Sequence, residues 1–184
     1  VGESISRYTL EIVSGILALD KENDYTLLIR PQGKPHLSSL ISQNFKNFAI
    51  KILDIPHYSL KEQTELLKYL NEEKFDLVHF TQFNHPVRYR GRFVVTIHDL
   101  TLLGHLHRMG AAKKFGFRVV MKSGAKNSEK IITISETTKK DLVETYKVDP
   151  EKIAVTYLGV DKKFNPTLRT QTSKLINFRE KYGI

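Results

Sequence analysis

Cysteine is absent from the 184 residues. Disulfides, thiolate metal sites and cysteine nucleophiles are therefore excluded together, and the chain suits a reducing cytoplasm. No apolar run approaches the ~18–20 residues that span a bilayer, and no secretory leader pattern opens the sequence. A cytoplasmic protein is expected, at most peripheral to the inner face of a membrane. No Gly-x-Gly-x-x-Gly follows a strand pattern and no Walker lysine motif occurs, which disfavours a nucleotide-binding Rossmann domain of another class. An early acidic pair with a mid-sheet phosphoacceptor Asp is also missing, so a response regulator is excluded. Zinc-finger spacing, aromatic-rich RNA-binding signatures and a basic region feeding a zipper are all lacking, so nucleic acid is not an expected partner. Repeats and low-complexity linkers are absent too.

What is present is an ordinary globular composition, 40% hydrophobic and 27% charged, in a chain long enough for one domain with one sizeable core. Twenty-nine basic residues against twenty acidic ones leave a net charge of +9. Such an excess attracts phosphates, whether on an anionic membrane surface or on a phosphorylated substrate.

Ile5, Tyr8, Ile12, Ile16 and Leu19 recur at helical spacing and predict an amphipathic helix over about 5–20. Strands are predicted over 25–30 and 48–53, ended by Pro31 and Pro56. Ser59, with Glu62 three residues on, reads as the capping box of a helix over 59–72. Strands over 76–80, 93–97 and 130–134 follow, with a helical stretch near 110–126 between the last two. Ser135 is positioned to cap a helix over 136–146 that turns Leu142, Val143 and Tyr146 inward. A strand over 153–157 and a final helix over about 168–182 complete the pattern. Strands alternating with helices predict an α/β fold, a Rossmann-like, doubly wound, mostly parallel sheet with helices on both faces. The strand with which such a domain normally starts is missing from the pattern.

Three apolar runs stop abruptly at polar groups: Asp76–Phe80, Phe93–Leu100 with His98 and Asp99, and Ile131–Glu136 with Ser135 and Glu136. In an open parallel sheet, ligands bind at the carboxyl edge of the strands, so these ends read as an assembling site. Taken by position alone, His98 is either a cleft residue or a histidine satisfied by nearby backbone, and Asp99 holds the turn. Gln82, Phe83, Asn84 and His85 suit ligand recognition, by stacking and by hydrogen bonds, or form a solvated loop ended by Pro86. Arg88, Arg90 and Arg92, spaced by two, share one face if extended and then meet a phosphate or lipid headgroup; otherwise they are a solvated edge. Ser135 and Glu136 open a helix whose N-terminus can hold an anion or simply be capped. Arg7 starts the first helix within reach of the cleft. His105 and His107 lack a carboxylate or third histidine at ligand spacing, so no metal site is expected.

These residues resemble, in order, the motifs of the N-terminal domain of a GT-B-fold, group 1 (family 4) retaining glycosyltransferase. Ser6-Arg7-Tyr8 resembles the end of that family's glycine-rich opening. Asp76-Leu77-Val78-His79, Val94 to Leu100 and Ile131 to Ser135 resemble its three strand ends, and Lys152 to Asp161 with Phe164 and Pro166 its "GVD" segment. Tyr182-Gly183 resembles the approach to the second domain. The chain departs from the pattern in carrying Glu3, Ser4 and Ser6 where the family has glycines, and in lacking the prolines usual after Leu100.

The resemblance implies that 1–184 is the acceptor-side domain of an enzyme of polysaccharide biosynthesis whose donor-binding C-terminal domain, in cis, is absent. It implies a nucleotide-sugar donor, a saccharide or lipid-linked acceptor, and no cofactor held by this domain alone. His98 becomes the expected catalytic residue, one that orients and stabilises in an ion-pair-like transfer without acting as nucleophile. Substrate contacts are expected from Arg7, Gln82, Phe83, Asn84, Arg88, Ser135 and Glu136. The isolated chain is expected to be inactive. The alternative is a stand-alone Rossmann-like module that binds polysaccharide, anionic lipid or a protein partner.

Overall fold

A computed structural model describes residues 3–37, 45–101 and 110–160, together with 164, 177 and 180–183. In chain order the elements are α1 (Glu3–Leu19), β1 (Tyr25–Ile29), a 3₁₀ segment (Pro31–Leu37) and β2 (Phe48–Ile52). A π-helical turn (Glu62–Leu66) then runs into α2 (Leu67–Glu73), followed by β3 (Val78–Phe80) and β4 (Phe93–Ile97). The described chain continues with α3 (Ala111–Asn127), β5 (Lys130–Thr133), α4 (Glu136–Tyr146) and β6 (Ile153–Val155).

Every strand pair among the described residues is parallel: β1 with β2 from Tyr25↔Phe48, β3 with β4 from Val78↔Phe93, β4 with β5 from Val94↔Lys130, and β5 with β6 from Ile131↔Ile153. Parallel neighbours cannot be joined by tight hairpins and need crossovers. Strand β4 shows why the sheet reads as an apolar run. Phe93, Val95 and Ile97 are buried on one face and Thr96 on the other, because successive side chains alternate across a strand. Helix α3 covers the Val95 face. A Cβ at Gly124 would lie 3.8 Å from Val95 Cγ1 and 3.3 Å from His85 Cε1, so glycine there permits the close approach of helix to strand. Helix α1 covers the opposite face, where the Tyr8 hydroxyl lies 3.2 Å from Thr96 Oγ1. Helices therefore flank the sheet on both faces, as predicted.

The apolar side chains gather in two clusters. The larger contains Phe93, Val95, Met121, Ile131 and Leu142; burying one such side chain is worth roughly 1.5–3 kcal/mol. The smaller holds Leu17 and Leu37, with Leu10, Val13, Leu27 and Ile29 against them. Helix α1 gives Leu10, Val13 and Leu17 to the smaller cluster, while its Tyr8 lies against Thr96 of β4.

Four sequence expectations are corrected. The strands do not form one continuous ladder; they divide into a two-stranded sheet, β1-β2, and a four-stranded sheet, β3-β4-β5-β6. The capping box at Ser59 is not formed. The Ser59 hydroxyl donates to the Pro56 carbonyl at 2.6 Å, and the Glu62 carboxylate is buried in a tertiary contact with Asn84. The strands at 76–80 and 153–157 are shorter, beginning at Val78 and ending at Val155; Asp76, Leu77, Thr156 and Tyr157 are exposed, and a last bond from the Thr156 amide to the Thr133 carbonyl at 2.8 Å closes the β5–β6 ladder. Arg88, Arg90 and Arg92 do not share an extended face, because Pro86 leads into a turn closed by Tyr89 N–H to the Pro86 carbonyl at 3.0 Å. His105 and His107 lie outside the described residues, as does most of the predicted last helix, of which 177 and 180–182 are helical.

Candidate active site at the carboxyl edge of the sheet

Strand β4 ends at Ile97 and delivers His98 to the carboxyl edge, beside the Thr81–Phe83 bend that follows β3. His98 Nε2 lies 2.9 Å from the Thr81 carbonyl. A carbonyl only accepts, so Nε2 is the donor of this bond, and in that tautomer Nδ1 is the acceptor. The Tyr8 ring meets the imidazole edge to face at 4.7 Å between centroids. From the far side, Thr138 Oγ1 donates to the His98 carbonyl at 3.1 Å. One residue is thus fixed by three elements: the bend after β3, helix α1 and the first turn of α4.

Beneath His98 lies a buried polar chain. Thr96 Oγ1, fully buried, meets both Tyr8 Oη and His79 Nε2, the latter at 2.8 Å. Burial pushes the His79 pKa below the usual imidazole value, and the nearby His98 adds to the effect. His79 therefore stays neutral at neutral pH.

The other expected residues divide by what already holds them. Ser135 is the N-cap of α4, its Oγ accepting from the Thr138 amide at 3.2 Å; Glu136 is exposed in the first turn. Asn84 is buried and donates to Glu62 Oε2 at 2.6 Å. Phe83 packs edge to face on Phe117, with centroids 5.2 Å apart. Gln82 remains at the edge, its Oε1 accepting from the Tyr58 hydroxyl at 3.4 Å. Arg7, half exposed, lies 3.8 Å from Glu11 one turn along α1. Arg88 is exposed in the turn after Pro86. Arg92 stands before β4, at the opposite end of the strand from His98, in a two-point pair with Glu129 at 2.5 and 3.0 Å. The structure therefore brings His98, Gln82 and the start of α4 toward one edge and takes Arg92 away from it. Asp99 Oδ1 accepts from the Thr101 amide at 2.9 Å and holds the turn, as expected.

Several residues at this edge were not singled out by their spacing. A cavity of about 420 Å³ lies between α1, β1 and the bend after β3, reaching Thr81; its polar lining includes Ser6, Arg30, His57, Glu62 and Gln82. His57 Nδ1 lies 3.5 Å from Glu62 Oε1. Arg30 ends the β1 run at the same edge, a position the strand-end argument applied to His98 would have marked. Glu62 carried no such signal, because it sits within a helical pattern. Among the described residues no three His, Asp or Glu side chains gather to hold a metal ion, and no helix is long and apolar enough to cross a membrane.

The O-antigen chain mannosyltransferase RfbU of Salmonella typhimurium (strain LT2) is 34% identical over 68 residues, which is 37% of this chain and 19% of that protein. The chain thus matches only about a fifth of the length of that relative. The match to Glycosyltransferase Family 4 runs over residues 5–164, from the first turns of α1 past β6. The chain belongs to glycosyltransferase family 4.

Proposed function

We propose that these residues form the acceptor-side domain of a retaining, sugar-nucleotide-dependent glycosyltransferase that extends a saccharide or lipid-linked acceptor. The observation that carries this reading is the three-sided hold on His98 at the carboxyl edge, in a chain whose family membership spans 5–164. With Nε2 committed to Thr81, Nδ1 is the atom that accepts from a sugar hydroxyl, and the fixed ring orients the substrate without a covalent step. Gln82 at the same edge supplies a further amide contact.

In this reading the donor nucleotide is held by a second Rossmann-like domain in cis that the 184 residues do not include. Tyr157, Leu158 and Val160, exposed just past β6, supply apolar surface of the kind that such a domain covers. The isolated chain then transfers no sugar, because holding two substrates together supplies much of the acceleration of a bimolecular step. The basic excess favours acceptors presented at an anionic membrane surface.

The test is transfer of labelled sugar from a panel of sugar nucleotides, starting with a mannosyl donor because the Salmonella relative is a mannosyltransferase. Turnover by the two-domain protein and none by the 184-residue chain supports the reading. Turnover by the chain alone refutes the divided site.

A further inference from the structure

Three residues other than glycine hold a positive φ among the described residues: Tyr58 at 57°, Lys74 at 52° and Lys147 at 54°. Lys74 and Lys147 are the C-caps of α2 and α4, where a left-handed residue routinely ends a helix. Tyr58 ends no helix. It stands in the loop between β2 and the π-helical turn, and a bulky residue keeps such a backbone only under constraint. Beside it, the Ser59 hydroxyl donates to the Pro56 carbonyl. Glu62 and Gln63, successive residues of the π-helical turn, clamp this loop to the one after β3. Glu62 accepts from Asn84; Gln63 donates from Nε2 to the His85 carbonyl at 3.1 Å, and its Oε1 accepts from the Val87 amide at 2.9 Å. Irregular helical turns of this kind gather at functional sites.

What the clamp presents is an aromatic side chain at the surface, since Tyr58 is 65% exposed. Its ring lies 6.1 Å from Phe83, which is itself seated on Phe117, and 6.4 Å from His57. Its hydroxyl donates to Gln82 Oε1 at 3.4 Å, a long bond that a ligand hydroxyl can replace. Gln82 and His57 both line the cavity of about 420 Å³, so Tyr58 stands at its rim between two lining residues. His57 Nδ1 faces the Glu62 carboxylate, which leaves Nε2 as the open polar atom of that ring. The Glu62 charge is turned inward, onto Asn84 and His57. Residues 54–60 and 81–85 contain no lysine or arginine, in a chain that has 29 of them.

We infer that Tyr58, Gln82 and His57 form a subsite for one neutral pyranose ring. A pyranose has an apolar face of C–H groups and a rim of hydroxyls. The Tyr58 ring covers such a face. The Gln82 amide, which both donates and accepts, and His57 Nε2 take hydroxyls at the rim. A phosphate or carboxylate finds no cation in these two segments, which disfavours a nucleotide or an acidic sugar. Phe83, the stacking residue expected from the sequence, faces Phe117 and serves instead as the backing of Tyr58. The strained backbone holds the Tyr58 ring out in solvent, and a ring fixed in advance loses little freedom when a ligand docks. That the sugar belongs to the acceptor rests on the proposed function; the ring subsite itself does not. On that footing the enzyme reads a sugar of its acceptor, and a lipid carrier without one is not accepted.

The test reads binding first and activity second. The 184-residue chain is titrated with mannobiose, maltose, cellobiose and lactose while the ring signals of Tyr58 and His57 are followed by NMR. At least one of these sugars is expected to shift both sets of signals saturably. Tyr58→Phe, which keeps the aromatic face, should bind that sugar within about twofold, and Tyr58→Gly, which removes the face, about tenfold more weakly. Glycine adopts the positive φ without strain, so Tyr58→Gly should keep its urea midpoint and its weaker binding is not a matter of unfolding. No saturable shift with any of the four sugars overturns the inference, and so does binding that Tyr58→Gly leaves unchanged. Uridine or guanosine shifting the Tyr58 signals where no disaccharide does means that the ring stacks on a base, which overturns it too. In the two-domain protein, Tyr58→Gly should raise the acceptor KM about tenfold and leave the KM of the sugar nucleotide unchanged. A protein that binds the sugar but transfers none keeps the subsite and refutes the proposed function. One that transfers sugar with an unchanged acceptor KM refutes the subsite alone.

Discussion

The His98 ring donates through Nε2 to the Thr81 carbonyl at 2.9 Å, although the two residues lie seventeen positions apart, each just past the end of its strand. This one bond decides which imidazole nitrogen faces outward. It also makes the bend after β3, and not the helix after β4, the element that sets the ring's direction.

From that follows the first prediction. In the two-domain protein, His98→Ala should lower turnover by at least about tenfold, since losing one well-placed hydrogen bond in a transition state costs on the order of 2–4 kcal/mol. His98→Asn, whose amide can still donate to Thr81 but presents no imidazole acceptor, should recover stability without recovering rate. The control is Val95→Ala on the same strand, where a fully buried side chain is lost; it should cost roughly 1–3 kcal/mol of stability and spare the turnover of folded protein. Urea midpoints beside initial rates separate the cases. If His98→Ala unfolds the domain while the folded fraction keeps its rate, the histidine is structural.

The second prediction concerns Asn84 and Glu62. Asn84 donates to a carboxylate that is 6% exposed, so Asn84→Ala leaves a buried charge short of a donor at a cost of roughly 1.5–3 kcal/mol. Asn84→Ala combined with Glu62→Leu, which removes the charge as well, should cost less than the sum of the two single changes. Additive costs in a denaturation series would show that the two side chains are not coupled.

How much of this was visible in the residues alone depends on whether local order decided it. Strand β4 and helix α4 follow from their apolar periods and from Ser135, because burial and capping are local effects; the structure places both at the predicted residues. His98 was legible because a polar group after an apolar run must leave the core. Glu62 was misread because a Ser-x-x-Glu spacing is satisfied either by a cap or by a distant partner, and Asn84 is twenty-two residues away. The arginine alternation failed because spacing by two implies one face only if the backbone is extended, which the turn after Pro86 prevents. The division into two sheets could not be seen at all, since pairing partners are not encoded in a strand's own period.

A third prediction follows from the charge of +9. The domain should sediment with vesicles containing phosphatidylserine and much less with neutral phosphatidylcholine vesicles. Exposed charges are screened over about 8 Å at physiological salt, so binding should weaken steeply as salt rises. Equal binding to both vesicle types, or indifference to salt, would remove the membrane surface from the list of partners.

The last prediction is the dependence of stability on pH. His79 and His85 are both held below the ordinary imidazole pKa, chiefly by burial; the nearby His98 adds to the effect at His79, and the bond from His85 to the Phe83 carbonyl partly offsets it. The folded protein keeps both rings neutral, whereas the unfolded chain protonates them near pH 6.5. Protons therefore bind the unfolded state first as pH falls, and stability present above about 6.5 is lost progressively below it. Each histidine contributes at most about 1.4 kcal/mol per pH unit to that loss. Urea midpoints at pH 8, 7, 6 and 5 should be level over the first step and fall over the later ones. His85→Gln, which keeps an acceptor toward the Ser123 hydroxyl that now lies 3.1 Å from His85 Nε2, should lower the midpoint at every pH but flatten the fall. A fall of unchanged slope in His85→Gln would assign the proton uptake to other groups, and a midpoint that rises on acidification would mean that the buried rings are charged in the folded state.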